Sequence, residues 1–316
     1  MDSNPEFEII QDLIKEAKYI SGPWRYTTWK KPGKVPMVIF SEEHGNDGSC
    51  PNETSISSVF TQILNKTVNG NIYIENFLHA DEFPDTKTNI CDKPADNTTL
   101  NDLRKCMGSL KKDTVFKSRV HFIDPRVDLV AILPNGKVYD AIDMAINRLI
   151  EEEKYSTILL TLYEAFVHPL ISLFPDKKSI NGRLSVSIND LKSRMNKEQL
   201  DFFEKTWRKD ILENISILVE KLNSMKETNC QSSKFITIIE DVEYLKILYR
   251  DITNKFLDIW LLGKLFVHEN DTPISTSVIY LGSLHSLNME KYFSNMGYKN
   301  DIKIENKNLD SCIRTN

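Results

Sequence analysis

The chain has 316 residues, of which 41% are hydrophobic and 27% are charged, and its formal net charge is −5. This composition excludes a disordered chain and leaves room for one large α/β domain or two ordinary domains. No cluster of Lys and Arg accompanies the acidic balance, so we expect no nucleic-acid partner.

The first predicted elements form a strand–helix–strand unit behind an N-terminal helix. Apolar residues recur at helical spacing in Pro5–Ile20, and Val35–Phe40 is a continuous apolar run typical of a buried strand. Ser55–Val68 has the pattern of a second helix, and Asn71–Phe77 that of a second strand, which a turn at Asn69-Gly70 precedes. Such a unit favours two parallel strands joined by a right-handed crossover.

The next stretch is predicted to begin with a long loop. Ala80–Asn101 is polar and contains two prolines, and long loops in compact domains are often functional. Arg119–Ile123 is the third predicted strand, and Val127–Leu133 has the composition of a further strand. Helical patterns then cover Val138–Glu153 and Ser156–Leu173.

A long helical block follows and is predicted to be an insertion or subdomain. The pattern from Asn196 to Phe266 is helical almost throughout, with a break near Thr228–Ser233. A last strand at Ser277–Leu281 and a turn at Gly282–His285 then lead to a short helix, Ser286–Met296. The polar tail that follows is expected to be loose.

The whole pattern predicts an α/β protein with a mixed, largely parallel sheet flanked by helices and a long helical insertion. In this division, residues 1–155 form the N-terminal half of the α/β domain, and residues 156–266 form the helical insertion or subdomain. Residues 267–316 supply the strand and helix that complete the α/β domain.

The cysteines and the apolar segments indicate the cellular compartment in which we expect the protein. The five cysteines are Cys50, Cys91, Cys106, Cys230 and Cys312. Their number is odd and none forms a CxxC pair, so we expect reduced thiols, with Cys50 and Cys106 as the pair that could approach each other. The N-terminal MDSNPEFEII has no apolar signal core, and polar residues interrupt the apolar stretch Ile158–Phe174. We therefore expect an intracellular, soluble protein without a membrane span.

Four of the predicted strands end in polar side chains that can take part in chemistry. In chain order they are Glu42, Glu43 and His44, then Glu75, then Asp124 with Arg126, and finally His285. In an open α/β sheet, ligands bind outside the carboxyl ends of the strands. If the four strands are parallel neighbours, these side chains converge on one crevice.

Carboxylates beside imidazoles suit two kinds of site. One is general acid–base catalysis on a water molecule near neutral pH, and the other is a divalent metal with an open position for water. Arg126 is suited to hold an anion or a carboxylate. No nucleophile elbow, phosphate loop, HExxH motif or glycine-rich dinucleotide motif is present, so serine hydrolases, kinases and zincins are poorly supported.

Each candidate also has a purely structural interpretation. Glu42 and Glu43 could form a solvated turn, and Asp124-Pro125-Arg126 could form a salt-bridged turn. Three further histidines are expected to be structural, namely His121 on the third strand, His168 at a helix break and His268 in a loop.

Four segments occur in the same order as in a known superfamily. They are Ser41-Glu42-Glu43-His44, Ile74-Glu75, Tyr280-Leu281-Gly282-Ser283-Leu284-His285 and Met296-Gly297-Tyr298. This order of acid–His turn, strand Glu, GxxH and helix end resembles the superfamily of erythromycin esterases, haem-binding ChaN-like proteins and TIKI/TraB proteases. The resemblance implies an α/β fold with a Glu/His site, and because its members differ in activity, the fold alone selects no reaction.

A further segment, Phe256–Phe266, resembles a helix that precedes the GxxH strand in uncharacterised members from large DNA viruses. On that resemblance Asp258 joins the candidate site, and its structural interpretation is an aspartate on a helix surface. A viral source would place the protein in the host cytoplasm or in the virion.

The favoured hypothesis is a hydrolase, metal-dependent in one version, that cleaves an ester or peptide bond in a small-molecule or peptide substrate. Its candidate catalytic residues are Glu43, His44, Glu75, Asp124, Arg126, Asp258 and His285, and its candidate metal ligands are His44, Glu75 and His285. The alternative is a non-enzymatic viral structural or host-interaction protein that binds a protein partner through the helical block. In a third hypothesis, His44 or His285 binds haem without turnover.

Overall fold

The computed structural model describes residues 4–43, 54–77, 91, 100–126, 144–148, 151, 155–171, 182–227, 235–271, 273–306 and 312–315. The chain divides into two compact units. The sheet unit contains Met1–Asp124 and His268–Asn316, and the helical unit contains Pro125–Val267. The mixed α/β content, the largely parallel sheet and the long helical insertion confirm the predicted fold class.

All the described strands belong to the sheet unit. They are β1 (Tyr19–Ser21), β2 (Arg25–Lys30), β3 (Met37–Glu42), β4 (Thr54–Ser55), β5 (Gly70–Phe77), β6 (Val120–Asp124), β7 (Thr276–Gly282), β8 (Lys299–Glu305) and β9 (Cys312–Arg314). A small sheet has the order β4-β1-β9, and the main sheet has the order β6-β5-β7-β3-β2-β8. Strands β3 and β7 are buried along their whole length, as is typical of central parallel strands covered on both faces.

The main sheet brings the polar strand ends to one edge. Strands β6, β5, β7 and β3 are parallel neighbours, whereas β2 runs antiparallel to both β3 and β8. The four strands with polar ends are therefore adjacent and parallel, which is the condition under which their polar side chains were expected to converge. Because parallel strands point the same way, their four carboxyl ends share one edge of the sheet.

Helices occur in both units. The described helices are α1 (Pro5–Glu16), α2 (Ile56–Lys66), α3 (Leu100–Lys112), α4 (Tyr155–Leu162), α5 (His168–Ile171), α6 (Gly182–Ser193), α7 (Lys197–Trp207), α8 (Glu213–Glu227), α9 (Phe235–Asp271) and α10 (Ser283–Asn295). Two π-helical turns, Tyr163–Val167 and Arg208–Leu212, join α4 to α5 and α7 to α8. None of the described helices is long and apolar enough to cross a membrane.

Local sequence explains where several helices begin. Asn4 caps α1, since its side chain accepts a hydrogen bond from the Phe7 amide at 3.1 Å and a proline occupies the first turn. Ser55 caps α2 in the same way through the Ser58 amide. At the start of α7, Asn196 and Gln199 form a reciprocal capping box.

Helices α1, α2 and α3 pack on one face of the main sheet. Alternate strand residues such as Phe40, Ile74 and Tyr280 belong to the buried core on this face. The ring of Phe60 from α2 lies 5.6 Å from that of Phe40 and 5.9 Å from that of Tyr280. Side chains alternate across a strand, so Trp29 and the residues two positions away from it along the strand face the other side of the sheet. Helix α10 lies against that side.

The structure corrects the sequence prediction at both ends of the sheet unit. The first helix ends at Glu16 and not at Ile20, because Lys18 adopts the left-handed φ of 55° and the chain then enters β1. The predicted loose tail instead forms β8 and β9, and β8 pairs with β2, a strand that was not predicted. Ile302 and Ile304 pack against the core, so β8 is an edge strand with one apolar side.

Two further predictions are wrong. The predicted turn at Gly282–His285 is mostly helical, because α10 begins at Ser283. Cys91 and Cys106, which were expected to be reduced thiols, form a disulfide with Cα atoms 5.0 Å apart. Cys106 is therefore not available to Cys50, which lies outside the described residues, as does most of the predicted loop 80–101.

Candidate functional site

Glu42 and Tyr280 lie together at the carboxyl edge of the sheet. Glu42 ends β3, and the Tyr280 hydroxyl donates a hydrogen bond to its Oε2 at 2.9 Å. Both side chains are buried. Burial, followed by the charge of Glu42, raises the pKa of Tyr280 well above its ordinary value. The phenol therefore keeps its proton and orients the carboxylate.

Backbone packing closes tightly over this hydroxyl. Gly22, in the turn between β1 and β2, has a φ of 111°, which favours glycine. A β carbon at this position would lie 3.3 Å from the Tyr280 hydroxyl and 3.1 Å from a methyl carbon of Ile56. The turn therefore packs against the Tyr280 hydroxyl, and a side chain at position 22 would be both crowded and strained.

Glu75 and His285 form a second pair at the same edge. Oε2 of Glu75 accepts a hydrogen bond from the Gly282 amide at 2.8 Å, and Oε1 lies 3.7 Å from Nε2 of His285. Both side chains are almost completely buried. Gly282 is the N-cap of α10, so the carboxylate lies where unsatisfied helix amides and the helix dipole favour negative charge. His285 extends from the first turn of the same helix.

Glu75 occupies a break in the strand ladder. The pairing of β5 with β6 is regular up to Ile74, and its register then shifts before Phe77 pairs with Asp124. The carbonyl oxygen of Glu75 accepts two hydrogen bonds from Arg104 of α3, at 2.9 Å from Nε and 2.6 Å from Nη2. A bulge of this kind re-aims a side chain at the end of a strand.

The predicted site residues fall into separate groups. Glu75 and His285 are brought together. Glu43 comes directly after β3 and is half-buried. Asp124 is buried at the end of β6. His44 lies outside the described residues.

Two of the predicted residues belong to the helical unit. Arg126 donates a hydrogen bond from Nη1 to the Asn254 side chain at 2.9 Å. Asp258 is completely buried in α9, so its interpretation as a surface aspartate is wrong.

Sequence reasoning missed Arg104 and underrated Glu42. Arg104 lies just beyond the predicted long loop, in a helix that was not predicted. Leu103, Cys106 and Met107 recur at helical spacing in that helix and are all buried, and this pattern was the signal that could have revealed it. Glu42 and Glu43 are neighbours in sequence, and only the strand register shows which of them contacts Tyr280.

A separate ring cluster lies in the amino-terminal half of strands β5 and β6. His121 stacks on Tyr73 with centroids 4.8 Å apart, and its Nε2 lies 2.8 Å from the Asn71 side-chain oxygen. The His268 ring lies 4.3 Å from that of His121, and its Nδ1 lies 2.9 Å from the Tyr73 hydroxyl. His268 is part of the last turn of α9, so its predicted loop position is wrong.

The predicted metal ligands are only partly described. Glu75 and His285 lie together, and His44 is the third predicted ligand. Among the residues that the structure describes, no group of three or more His, Cys, Asp or Glu side chains is arranged to hold a metal ion.

Comparisons of the chain with protein-family models, with curated proteins and with solved structures find no match. The superfamily resemblance of the four segments therefore stays a prediction.

Proposed function

We propose that the protein is a hydrolase in which Glu75 and His285 carry out acid–base chemistry on a water molecule. The observation that supports this proposal most directly is the 3.7 Å separation of Glu75 Oε1 and His285 Nε2, both buried at the carboxyl edge of parallel strands. A carboxylate and an imidazole at this separation can exchange a proton through a bound water or a substrate atom.

Glu75 and His285 each carry out one of the proton transfers. Glu75 accepts a proton from the attacking water at Oε1, while its Oε2 stays bound to the Gly282 amide. The water oxygen bonds to the carbonyl carbon, and His285, as the imidazolium, donates its Nε2 proton to the leaving group as the bond between that group and the carbonyl carbon breaks. The proton held by Glu75 then passes to His285, which restores both residues. The pair formed by Glu42 and Tyr280 lines the same edge and contributes a fixed negative charge and a hydroxyl.

The resemblance supplies the proposed substrate class, which is an ester or a peptide bond. It also keeps Glu43 and His44 as proposed participants on the first strand end. Asp124, Arg126 and Asp258 stay in the proposal as candidates that the resemblance and the strand-end pattern suggested.

A divalent metal is part of one version of this proposal. Glu75 and His285 are close enough to bind one ion between them, with His44 as the third proposed ligand. The ion would lower the pKa of a bound water. Haem bound by His44 or His285 is the remaining alternative, and a Soret band on adding haem to the purified protein would reveal it.

The proposal is tested by hydrolysis of a panel of esters and peptides by the wild type and by Glu75→Gln. We expect Glu75→Gln to lower kcat/KM by roughly 10²–10⁴, because it removes the proton acceptor and keeps the shape. Asp301→Asn, which changes an exposed carboxylate on β8, is the matched control and should match the wild type. Equal rates for Glu75→Gln and the wild type would refute the proposed role.

Metal content tests the metal-dependent version separately. Protein purified without chelator is analysed by mass spectrometry beside Glu75→Ala and His285→Ala. Stoichiometric metal that is lost in both variants supports a shared metal site. Hydrolysis by a wild type that contains no metal would remove this version and leave metal-free catalysis.

A second candidate function is protein binding through the helical unit. Three large apolar side chains of α9 are about half exposed, namely Ile239 at 50%, Tyr244 at 46% and Ile247 at 48%. Ile239 and Ile247 are eight residues apart, which places them on one side of the helix, and a contiguous exposed apolar patch is typical of an interaction surface. We expect the wild type to self-associate in a sedimentation experiment and the double variant Ile239→Lys and Ile247→Lys not to do so. Identical sedimentation of variant and wild type would count against self-association through this surface.

A further inference from the structure

The backbone at Glu75 is held from outside the strand ladder. The last regular pair of β5 and β7 is Ile74 with Tyr280, and the pairing of β5 with β6 shifts register after Ile74. The Glu75 carbonyl accepts two hydrogen bonds from the guanidinium of Arg104, which approaches from α3. The planar fork of arginine suits this contact, because two N–H groups reach one oxygen from a fixed direction.

The same guanidinium places a positive charge next to the carboxyl edge. The pKa of Tyr280 is raised by burial and by Glu42, and the positive charge of Arg104 opposes this effect. The charge of Glu75 also acts on Tyr280. Arg104 is therefore within electrostatic range of both carboxylate pairs.

Helix α3 holds Arg104 firmly. Leu103 and Met107 are fully buried on either side of it in the sequence, and Cys106 is bonded to Cys91. A side chain carried by a helix anchored in this way is a rigid support for its partner.

We propose that Arg104 is a positioning residue for Glu75. By holding the Glu75 carbonyl, it sets the bulge that directs the carboxylate to the Gly282 amide and to His285. An effect of Arg104 on the rate of catalysis rests on the proposed hydrolase function. Its structural role, which is to position the Glu75 carboxylate, does not depend on that function.

A second arginine supplies a matched control. Arg119 also binds backbone carbonyls, but at the start of β5, with Nε donating to Gly70 and Nη1 donating to Leu64 and Thr67 at 2.8–2.9 Å. Loss of Arg119 should destabilise the fold in a similar way without reaching Glu75. The two arginines therefore separate a general effect of lost carbonyl contacts from a specific effect on the carboxylate.

The amide of Gly282 reports the position of the Glu75 carboxylate, because the two are hydrogen-bonded. The chain has 11 glycines, so labelling with ¹⁵N-glycine gives a simple spectrum in which Gly282→Ala assigns the Gly282 signal. The φ of −60° at Gly282 accommodates alanine. In Glu75→Ala the amide loses its acceptor, and this variant defines the signal of the broken bond.

We expect Arg104→Gln to move the Gly282 signal towards its position in Glu75→Ala and to make amide exchange about 10- to 100-fold faster. Arg104→Lys should move it less, because lysine keeps the positive charge and can still donate a hydrogen bond, although it lacks the planar fork. Arg119→Gln should leave the signal unchanged. A Gly282 signal that is unchanged in both Arg104 variants, or that moves as far in Arg119→Gln, would overturn the proposal. If Arg104→Gln does not fold, the comparison of Arg104→Lys with Arg119→Lys decides.

Kinetics extend the test if the wild type hydrolyses a substrate. Arg104→Gln should then lower kcat about tenfold or more with little change in KM, since misplacing a reacting group affects the chemical step. Arg104→Lys should recover part of that loss. A protein without hydrolytic activity would refute the proposed function and leave the Gly282 measurement, and thus the positioning role, intact.

Discussion

Two regions of the same strands contain histidines and tyrosines in different surroundings. At the carboxyl edge, His285 faces the Glu75 carboxylate, and in the amino-terminal half of the strands His121 lies against the amide oxygen of Asn71. A carboxylate can accept a proton near neutral pH, and a carboxamide oxygen cannot. The comparison teaches that the partner of a histidine, more than its burial, indicates which cluster is able to perform acid–base chemistry.

The tyrosines of the two regions differ in the same way. The Tyr280 hydroxyl donates to the ionisable Glu42, whereas the Tyr73 hydroxyl contacts the imidazole of His268. Burial raises the pKa of both phenols above the ordinary range. Each hydroxyl is thus a protonated hydrogen-bonding group, but only one of them holds a carboxylate.

The largest expected effect compares the two histidines directly. His285→Gln should lower kcat/KM for any ester or peptide that the wild type hydrolyses by roughly 10²–10⁴, because the proton donor is lost. His121→Gln should leave kcat/KM unchanged. A comparable loss in both variants would mean that the two regions do not differ in the way that we infer.

The disulfide should stabilise the carboxyl-edge region through α3. Cys91 and Cys106 are separated by 15 residues in sequence, and closing a loop of that length contributes about 3 kcal/mol. The double variant Cys91→Ser and Cys106→Ser should lose about this much free energy of unfolding in urea titrations. A reductant should destabilise the wild type and leave the variant unaffected, and a wild type that is equally stable with and without reductant would contradict the prediction.

Removing one hydroxyl from each region gives a smaller, matched comparison. Tyr280→Phe removes the hydroxyl that donates to the buried Glu42 carboxylate and should cost about 1–3 kcal/mol of unfolding free energy. Tyr73→Phe removes a hydrogen bond to the His268 ring and should cost about 0.5–1.5 kcal/mol. Urea unfolding of both variants at neutral pH measures the difference, and an equal or reversed order would show that Glu42 does not depend on Tyr280.

The smallest expected effect is the alkaline pH dependence of stability. Because burial raises the folded-state pKa of Tyr73 and Tyr280, the folded protein holds these protons more tightly than the unfolded chain. This stabilisation is complete below the unfolded pKa of about 10 and is lost as the pH rises above it. From pH 9 to pH 11, each Tyr→Phe variant should lose about 1 kcal/mol less unfolding free energy than the wild type. If the unfolding free energies of variant and wild type fall by the same amount over this pH range, the prediction is contradicted.

Much of the main sheet could be predicted from local patterns. The apolar runs of β3 and β7, each followed by polar residues, indicated buried parallel strands with a polar edge, and the parallel order of the strands agrees. Glu75 and His285 were chosen for the same reason, and they lie together. Strand β2 has no comparable pattern, because RYTTWK mixes polar and aromatic residues. One of its partners, β3, follows directly in the chain, but the other, β8, lies about 270 residues away.

The amino-acid sequence by itself determined the alternation of apolar and polar segments, the helical block and the residue types at the strand ends. Tertiary structure alone decided that Glu42 binds Tyr280, that Arg104 supports Glu75 and that Cys106 pairs with Cys91. Periodicity along the chain is a local property that burial imposes on each element. Contacts between residues far apart in the sequence depend on strand order, register and a bulge, and these are set only when the elements pack together.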